Sequence, residues 1–274
     1  MATIISVASG KGGVGKSVIT RNLGLLLARQ GKRVVLADLD IGGANLHIIF
    51  GLINPELSLT DFLNKRVDSL EEVIYKVEWA SGLGLIPGTG ETLRTANLPY
   101  AKKTRLIRHL QHLDADIVLL DCAPGPSFQT LDFFLLGDIQ LAVATPDPTA
   151  VIELYTFLKL AAIRKVLTSL VANDRSKVKA QLMEENFSSV QEVIEVLKDV
   201  DPASQEMAED ALREFHPLFI LNQMTPSTKL SVAYLQQVVY KFIRSELELI
   251  GKIPQDEAVE QSIRIFQPVV DLAP

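Results

Sequence analysis

Residues 10–17 read Gly-Lys-Gly-Gly-Val-Gly-Lys-Ser, between an apolar run, Thr3–Val7, and a stretch of helical periodicity that opens near Lys16. A G-x-x-x-x-G-K-[ST] loop in that strand-to-helix setting leaves the backbone little choice. Its glycines let successive N–H groups curl around one centre, and the helix N-terminus adds partial positive charge at the same point. Such a concavity suits a phosphate. Gly10, Gly12, Gly13, Val14, Gly15, Lys16, Ser17 and Val18 are the candidate binding residues, with Lys16 as the point charge for β- and γ-phosphates and Ser17 as a hydroxyl for Mg2+. The plain alternative is a glycine-rich turn that leads into a helix.

The runs Arg33–Ala37, Leu83–Ile86, Ile117–Leu120, Gln140–Ala144, Pro217–Leu221 and Leu247–Ile250 read as further strands separated by helical segments. Several are apolar throughout, which marks strands buried on both faces of a parallel sheet. The expected fold class is therefore α/β: a doubly wound, mostly parallel sheet with helices on both faces, built as a single domain over 1–274. Ligands in such sheets bind outside the carboxyl ends of the strands. With 47% apolar residues and a mean hydropathy of +0.21, the chain can bury a large core, and intrinsic disorder is excluded. The longest stretch without an acidic or basic residue, Ile41–Pro55, is too short and too polar to span a bilayer.

Only Met1 and Ala2 precede the first strand, and no basic leader or cleavage pattern is present, so a cytoplasmic location is expected. Cys122 is the single cysteine, which excludes an internal disulfide and paired cluster thiolates and fits a reducing compartment. It reads as a small buried hydrophobe. Net charge is −6, but the stretch Thr168–His216 alone carries 5 basic and 11 acidic residues. The acidity is local, and nucleic acid is a poor match to a chain without excess Lys and Arg.

Within that acidic stretch, Val190, Val193, Ile194, Leu197 and Val200 form one apolar stripe at helical spacing. Ala208, Ala211, Leu212 and Phe215 form a second, with Asp201-Pro202 as the break. Residues 173–216 are thus expected to be an inserted acidic helical hairpin. Its outer face is either a solvated surface or a docking site for a protein partner. The run Lys102–His109 is the one cationic cluster, and its buried face is marked by Leu106, Leu110 and Leu113. Lys102, Arg105, Arg108, His109 and His112 are expected on the outside, solvated or facing DNA or an acidic partner. His47 reads as a polar residue near the acidic loop.

Three carboxylates leave strand ends on the phosphate side. Asp38 and Asp40 follow Arg33–Ala37, and Asp121 follows Ile117–Leu120. Acids gathered there need a cation. Asp38 and Asp121 with Ser17 are candidate Mg2+ ligands, and Asp40 can orient an attacking water. Each is also a potential helix N-cap. In Leu221-Asn222-Gln223-Met224-Thr225, Thr225 stands where a guanine reader needs an aspartate, so adenine is favoured. Asn222 is either a base contact or an ordinary strand-end turn.

The motifs K-G-G-V-G-K-S, D-x-D and D-x-x-x-G resemble those of the deviant-Walker ATPases of the MinD/ParA family, over nearly the whole chain apart from the insertion. Gly43-Ala44-Asn45-Leu46, Leu85-Ile86-Pro87-Gly88 and Thr145-Pro146-Asp147-Pro148-Thr149 are most similar to MinD and FlhG members. The resemblance implies ATP and Mg2+ as cofactors, hydrolysis with Lys11, Lys16 and Asp40 as catalytic residues, and an ATP-bound homodimer in which Lys11 reaches the partner's nucleotide. It also implies base contacts from Asn222, Pro254 and Asp256. The segment Arg264–Pro274 stops where MinD and FlhG relatives continue into a further helix and an amphipathic anchor. Peripheral attachment at the inner membrane is therefore expected only with such an anchor. Cys122 standing alone excludes the cluster-carrying branches of the family. The expected function is an ATP-driven dimerisation switch for spatial positioning or number control of a cellular structure. The alternatives are an ATP-gated protein-recruiting scaffold and a ParA-like DNA segregation ATPase, the latter weakened by a C-terminal region, Lys229–Pro274, with 5 basic and 6 acidic residues.

Overall fold

Residues 2–41, 43–88, 98–173, 175–182 and 187–272 are described in the computed structural model. Met1, Gly42, Asp174, residues 183–186 and Ala273–Pro274, which entered the sequence reading, lie outside the described residues. The strands are β1 (Thr3–Ser9), β2 (Val34–Leu39), β3 (Tyr75–Lys76), β4 (Leu83–Ile86), β5 (Ile117–Pro124), β6 (Ile139–Ala144), β7 (Leu218–Met224) and β8 (Glu248–Pro254). They form one sheet in the order β3-β4-β2-β5-β1-β6-β7-β8, parallel except for β3. The expected strands are all present, most of them with ends shifted by a few residues. β3 is the addition, because two residues are too few to show a period.

The helices are α1 (Lys16–Arg29), α2 (Leu46–Ile49), α3 (Leu59–Leu63), α4 (Tyr100–Gln111), α5 (Phe128–Leu136), α6 (Pro148–Ala172), α7 (Ser176–Leu182), α8 (Val190–Val200), α9 (Pro202–Arg213), α10 (Val232–Ile243), α11 (Glu257–Arg264) and α12 (Val269–Leu272). The chain winds outward from β1 to β2 and β4, then returns to insert β5 between β1 and β2. That return decides the site. The parallel register sets Asp121 beside Val7 on one side and beside Asp38 on the other. Val7, Leu36, Val118, Leu119 and Leu120 are fully buried, as strands covered on both faces require.

The expected 173–216 insertion begins just past α6, whose 25 residues rise about 37 Å at 1.5 Å each, and its described residues form α7, α8 and α9. Asp201 caps α9, accepting the Ala203 N–H at 3.3 Å, and Pro202 opens the helix where its missing N–H costs nothing. Val190, Val193, Ile194, Leu197, Ala208, Leu212 and Phe215 are buried in the same apolar cluster as the sheet. Val200 is 41% exposed, so the first stripe ends one turn earlier than its periodicity suggests. On α4 the outward reading needs correction for Arg105 and for His109, whose ring meets the buried Phe62 ring edge-on at 4.8 Å. Arg105 lies over the Phe62 ring at 4.0 Å and donates to the carbonyls of Phe62 and Asp68, because the 62–68 turn covers that side of the helix.

The phosphate-type loop is wedged against α6. A Cβ on Gly10 would come within 2.2 Å of the Glu153 carbonyl carbon, a backbone atom with no rotamer to yield. Gly10→Ala is expected to destabilise the fold by about 2–4 kcal/mol, an overpacking cost that urea unfolding measures directly. A variant with the wild-type midpoint would mean that the loop and α6 are not in fixed contact.

Candidate functional site

The loop from Gly10 to Gly15 enters α1 through Gly15, whose φ of 92° belongs to the left-handed region that favours glycine. Gly13 (φ 79°) is similarly turned. Two side chains from the end of β7 brace this backbone. Asn222 Nδ2 donates to the Val14 carbonyl at 2.8 Å, and Gln223 Nε2 donates to the Gly13 carbonyl at 3.2 Å. Any Cβ at Gly15 would strike Asn222 Nδ2 at 2.3 Å. Asn222 is therefore first of all a brace for the loop, with its amide donor spent on Val14. Gln223, itself at φ 56°, plays the same part and carries no sequence signal beyond adjacency.

The carboxyl ends of the strands open into a cleft of about 1290 Å3. Gly12, Gly13, Gly15, Lys16, Ser17, Val18, Asp40 and Asn45 form its polar end, and Asn222, Pro254 and Asp256 lie along its wall. Asp256 also caps α11, accepting the Ala258 N–H at 2.8 Å. Of the residues expected from the sequence, the structure brings the loop, Asp40 and the base-side residues to this one cleft. Lys11 is not on its lining. Its Nζ bonds the Thr149 hydroxyl at 2.8 Å and lies 3.5 Å from the Asp147 carboxylate.

Asp38 and Asp121 are buried behind the cleft. Asp38 accepts the N–H groups of Asp40 (3.1 Å) and Leu46 (2.9 Å), so it anchors the acidic loop and the first turn of α2 as well as offering a charge. Burial, with the Asp121 charge beside it, pushes its carboxyl up to about 8. Asp121 is raised to about 6 by burial, while the Ser17 hydroxyl and the Lys16 charge pull it down. Its Oδ1 is buried with no hydrogen-bond partner. Asp40, half-buried, is raised by burial and drawn back by Lys16.

An orphaned carboxylate oxygen beside a serine hydroxyl and a second buried acid is a set of hard oxygen donors. That set fits Mg2+. Cys122 is buried and its thiol is held protonated by burial and by Asp121. His47 is buried with Nδ1 unpartnered.

Carboxyls whose folded pKa lies above the unfolded value bind protons more tightly when folded, so they lower stability as pH rises from about 4 towards 8. His47, lowered by burial, acts in the opposite sense. The nucleotide-free protein is expected to lose thermal stability between about pH 4 and 6 relative to Asp121→Asn, and the two melting curves should converge only near pH 4 and below. Parallel pH profiles would mean that Asp121 is already ionised at pH 5.

A braced glycine-rich loop with buried acids at adjoining strand ends defines a P-loop nucleotide-binding protein. The chain belongs to the CobQ/CobB/MinD/ParA nucleotide-binding domain family, which it matches over residues 5–269. The family binds ATP with Mg2+, and its MinD and ParA members are ATPases. An uncharacterised ATP-binding protein of Methanocaldococcus jannaschii is 32% identical over 72% of this chain and 72% of its own length. The flagellum site-determining protein YlxH of Helicobacter pylori is 34% identical over 62% of this chain and 57% of its own. Septum site-determining protein MinD of Thermotoga maritima is 34% identical over 55% of each. The chain thus spans little more than half the length of the flagellar and septal relatives.

The solved structure of MinD with Mg-ADP from Pyrococcus horikoshii superposes with a TM-score of 0.68 at 22% identity, covering 100% of this chain and 90% of that one. At that identity the likeness speaks for the fold, an eight-stranded P-loop NTPase sheet. Among the described residues, no helix is long and apolar enough to cross a membrane.

Proposed function

We propose that this chain is a Mg2+-dependent ATP hydrolase whose ATP-bound form pairs with a second copy, and that pairing switches a role in positioning or counting a cellular structure. The observation that carries the reading is the division of labour among the charges. Lys16, Ser17 and Asp40 line one cleft and Asp38 and Asp121 are buried behind it, whereas the loop's other cation, Lys11, is turned to Thr149 and Asp147. A cation on the phosphate loop that does not serve its own cleft is placed to serve another molecule's.

Bound Mg2+ would be held by Ser17 and Asp121 with Asp38 behind them, and would supply charge neutralisation to the phosphates. The loop N–H groups and Lys16 hold the phosphates. Asp40, on the cleft wall beside Lys16, is the carboxylate that orients the attacking water. Lys11 of the second copy would stabilise charge that develops on the γ-phosphate, as an arginine finger does. The names of the flagellar and septal relatives support the positioning role.

Light scattering tests the pairing. Asp40→Ala, which keeps the phosphate cradle and lacks the water-orienting group, is expected to run at twice the monomer mass with ATP and Mg2+ and at monomer mass with ADP. A single mass under both nucleotides would sink the switch.

A further inference from the structure

Arg21, on α1, is 1% exposed, and burial lowers its pKa to about 10 against the opposing pull of the Asp271 charge. A buried guanidinium is costly unless its donors are used, and the one hydrogen bond it makes among the described residues goes to the C-terminal region. Nη2 donates to the Phe266 carbonyl at 2.6 Å, and Nε has no partner. The guanidinium lies 5.2 Å from the Phe50 ring and 5.9 Å from the Trp79 ring, and those two rings stack on each other. None of these residues has a part in the proposed chemistry.

Phe50 ends α2, the short helix whose first N–H, at Leu46, is held by the Asp38 carboxylate. Phe266 occupies the turn between α11 and α12 at φ 58°, a conformation a bulky residue keeps only when its surroundings impose it. A Cβ built on Gly51, the residue after Phe50, would lie 3.5 Å from the Phe266 side chain. One residue along α1, Asn22 Oδ1 accepts the Val270 N–H at 3.3 Å. The acidic loop and the C-terminal helices, far apart in sequence, therefore meet at one cation, and α11 itself begins at Asp256 on the wall of the cleft.

We infer that Arg21 is a positioning residue that clamps the end of α2 to the 264–271 turn, so that filling of the cleft by ATP and Mg2+ is registered in α11 and α12. The inference rests on the ATP reading of the cleft. Asp38 is the point of entry, since any movement of its carboxylate towards the nucleotide side pulls on Leu46 and a helix of only four residues. Phe50, Trp79 and the Phe266 carbonyl then follow, being in contact through Arg21. Coupling of this kind is shown by a joint response of both ends, not by contiguity.

Trp79 is the only tryptophan in the chain and reports on the clamp. Titration of the wild-type chain with a slowly hydrolysed ATP analogue and Mg2+ is expected to shift its emission, with binding measured separately by calorimetry. Arg21→Met should bind the analogue yet lose the shift, and Arg21→Lys, which keeps a charge and a donor, should restore part of it. Hydrogen exchange of the wild-type chain requires no variant to fold, and residues 257–272 are expected to exchange more slowly with the analogue bound. Calorimetric binding with unchanged emission and unchanged exchange at 257–272 would overturn the clamp, as would a full emission shift in Arg21→Met. Absence of calorimetric binding would instead overturn the reading of the cleft.

Discussion

Lys16→Ala is expected to weaken binding of ATP with Mg2+ by about 100-fold or more. Lys16 is buried on the cleft wall, and its charge is felt by Asp40 and Asp121. A hydrogen bond to a charged group is worth roughly 1.5–3 kcal/mol, and each 1.4 kcal/mol is tenfold in affinity, so one contact alone accounts for about one to two decades. The acids make the loss larger. Without Lys16, a polyphosphate meets Asp40 with Asp38 and Asp121 close behind, and no loop cation remains in the cleft to offset them. Isothermal titration at fixed Mg2+ and ionic strength measures the change, because salt screens the same charges. Affinity within a factor of three of wild type would remove the loop from the binding site. Loss of binding with an unchanged melting temperature in the nucleotide-free state would assign the effect to the ligand alone.

The loop was legible because glycine, lysine and serine at that spacing meet a physical demand that no other segment of the chain makes. The strands were legible too, from their continuous apolar runs, although β2 and β5 run on past Asp38 and Asp121 to Leu39 and Pro124. What periodicity could not contain is strand order. Asp121 becomes the neighbour of Asp38 only because β5 inserts between β1 and β2, a choice made by packing the whole sheet. Side-chain reach was equally hidden. The fold brings Lys11 to Thr149 across 138 positions of sequence, and it spends the Asn222 amide on the loop. Arg105 shows the limit of a helical wheel. The wheel says which face turns away from the sheet, but not that the 62–68 turn will cover that face.

The position of Lys11 leads to the sharpest expectation. Its ion pair with Asp147 is about 40% exposed on both sides, and such pairs contribute only ~0–1 kcal/mol, so Lys11→Ala should fold and bind ATP nearly as wild type. Turnover is expected to fall by about 1000-fold or more, the scale on which a trans-acting cation stabilises phosphoryl transfer. A simple loss of activity would not separate a trans role from a cis one, and mixing does. In a heterodimer of Lys11→Ala with Asp40→Ala, the site on the first chain keeps its own Asp40 and receives the partner's Lys11. The other site lacks both. With random pairing at equal amounts, half of the dimers are mixed and each has one complete site, so turnover should return to about a quarter of wild type. A cis role for Lys11 gives no complete site in any combination. Two inactive parents that remain inactive together, with the heterodimer verified by crosslinking of differently tagged chains, would rule out a shared site. The contact between Lys11, Thr149 and Asp147 would then be structural, and the hydrolytic cycle would have to run within one chain.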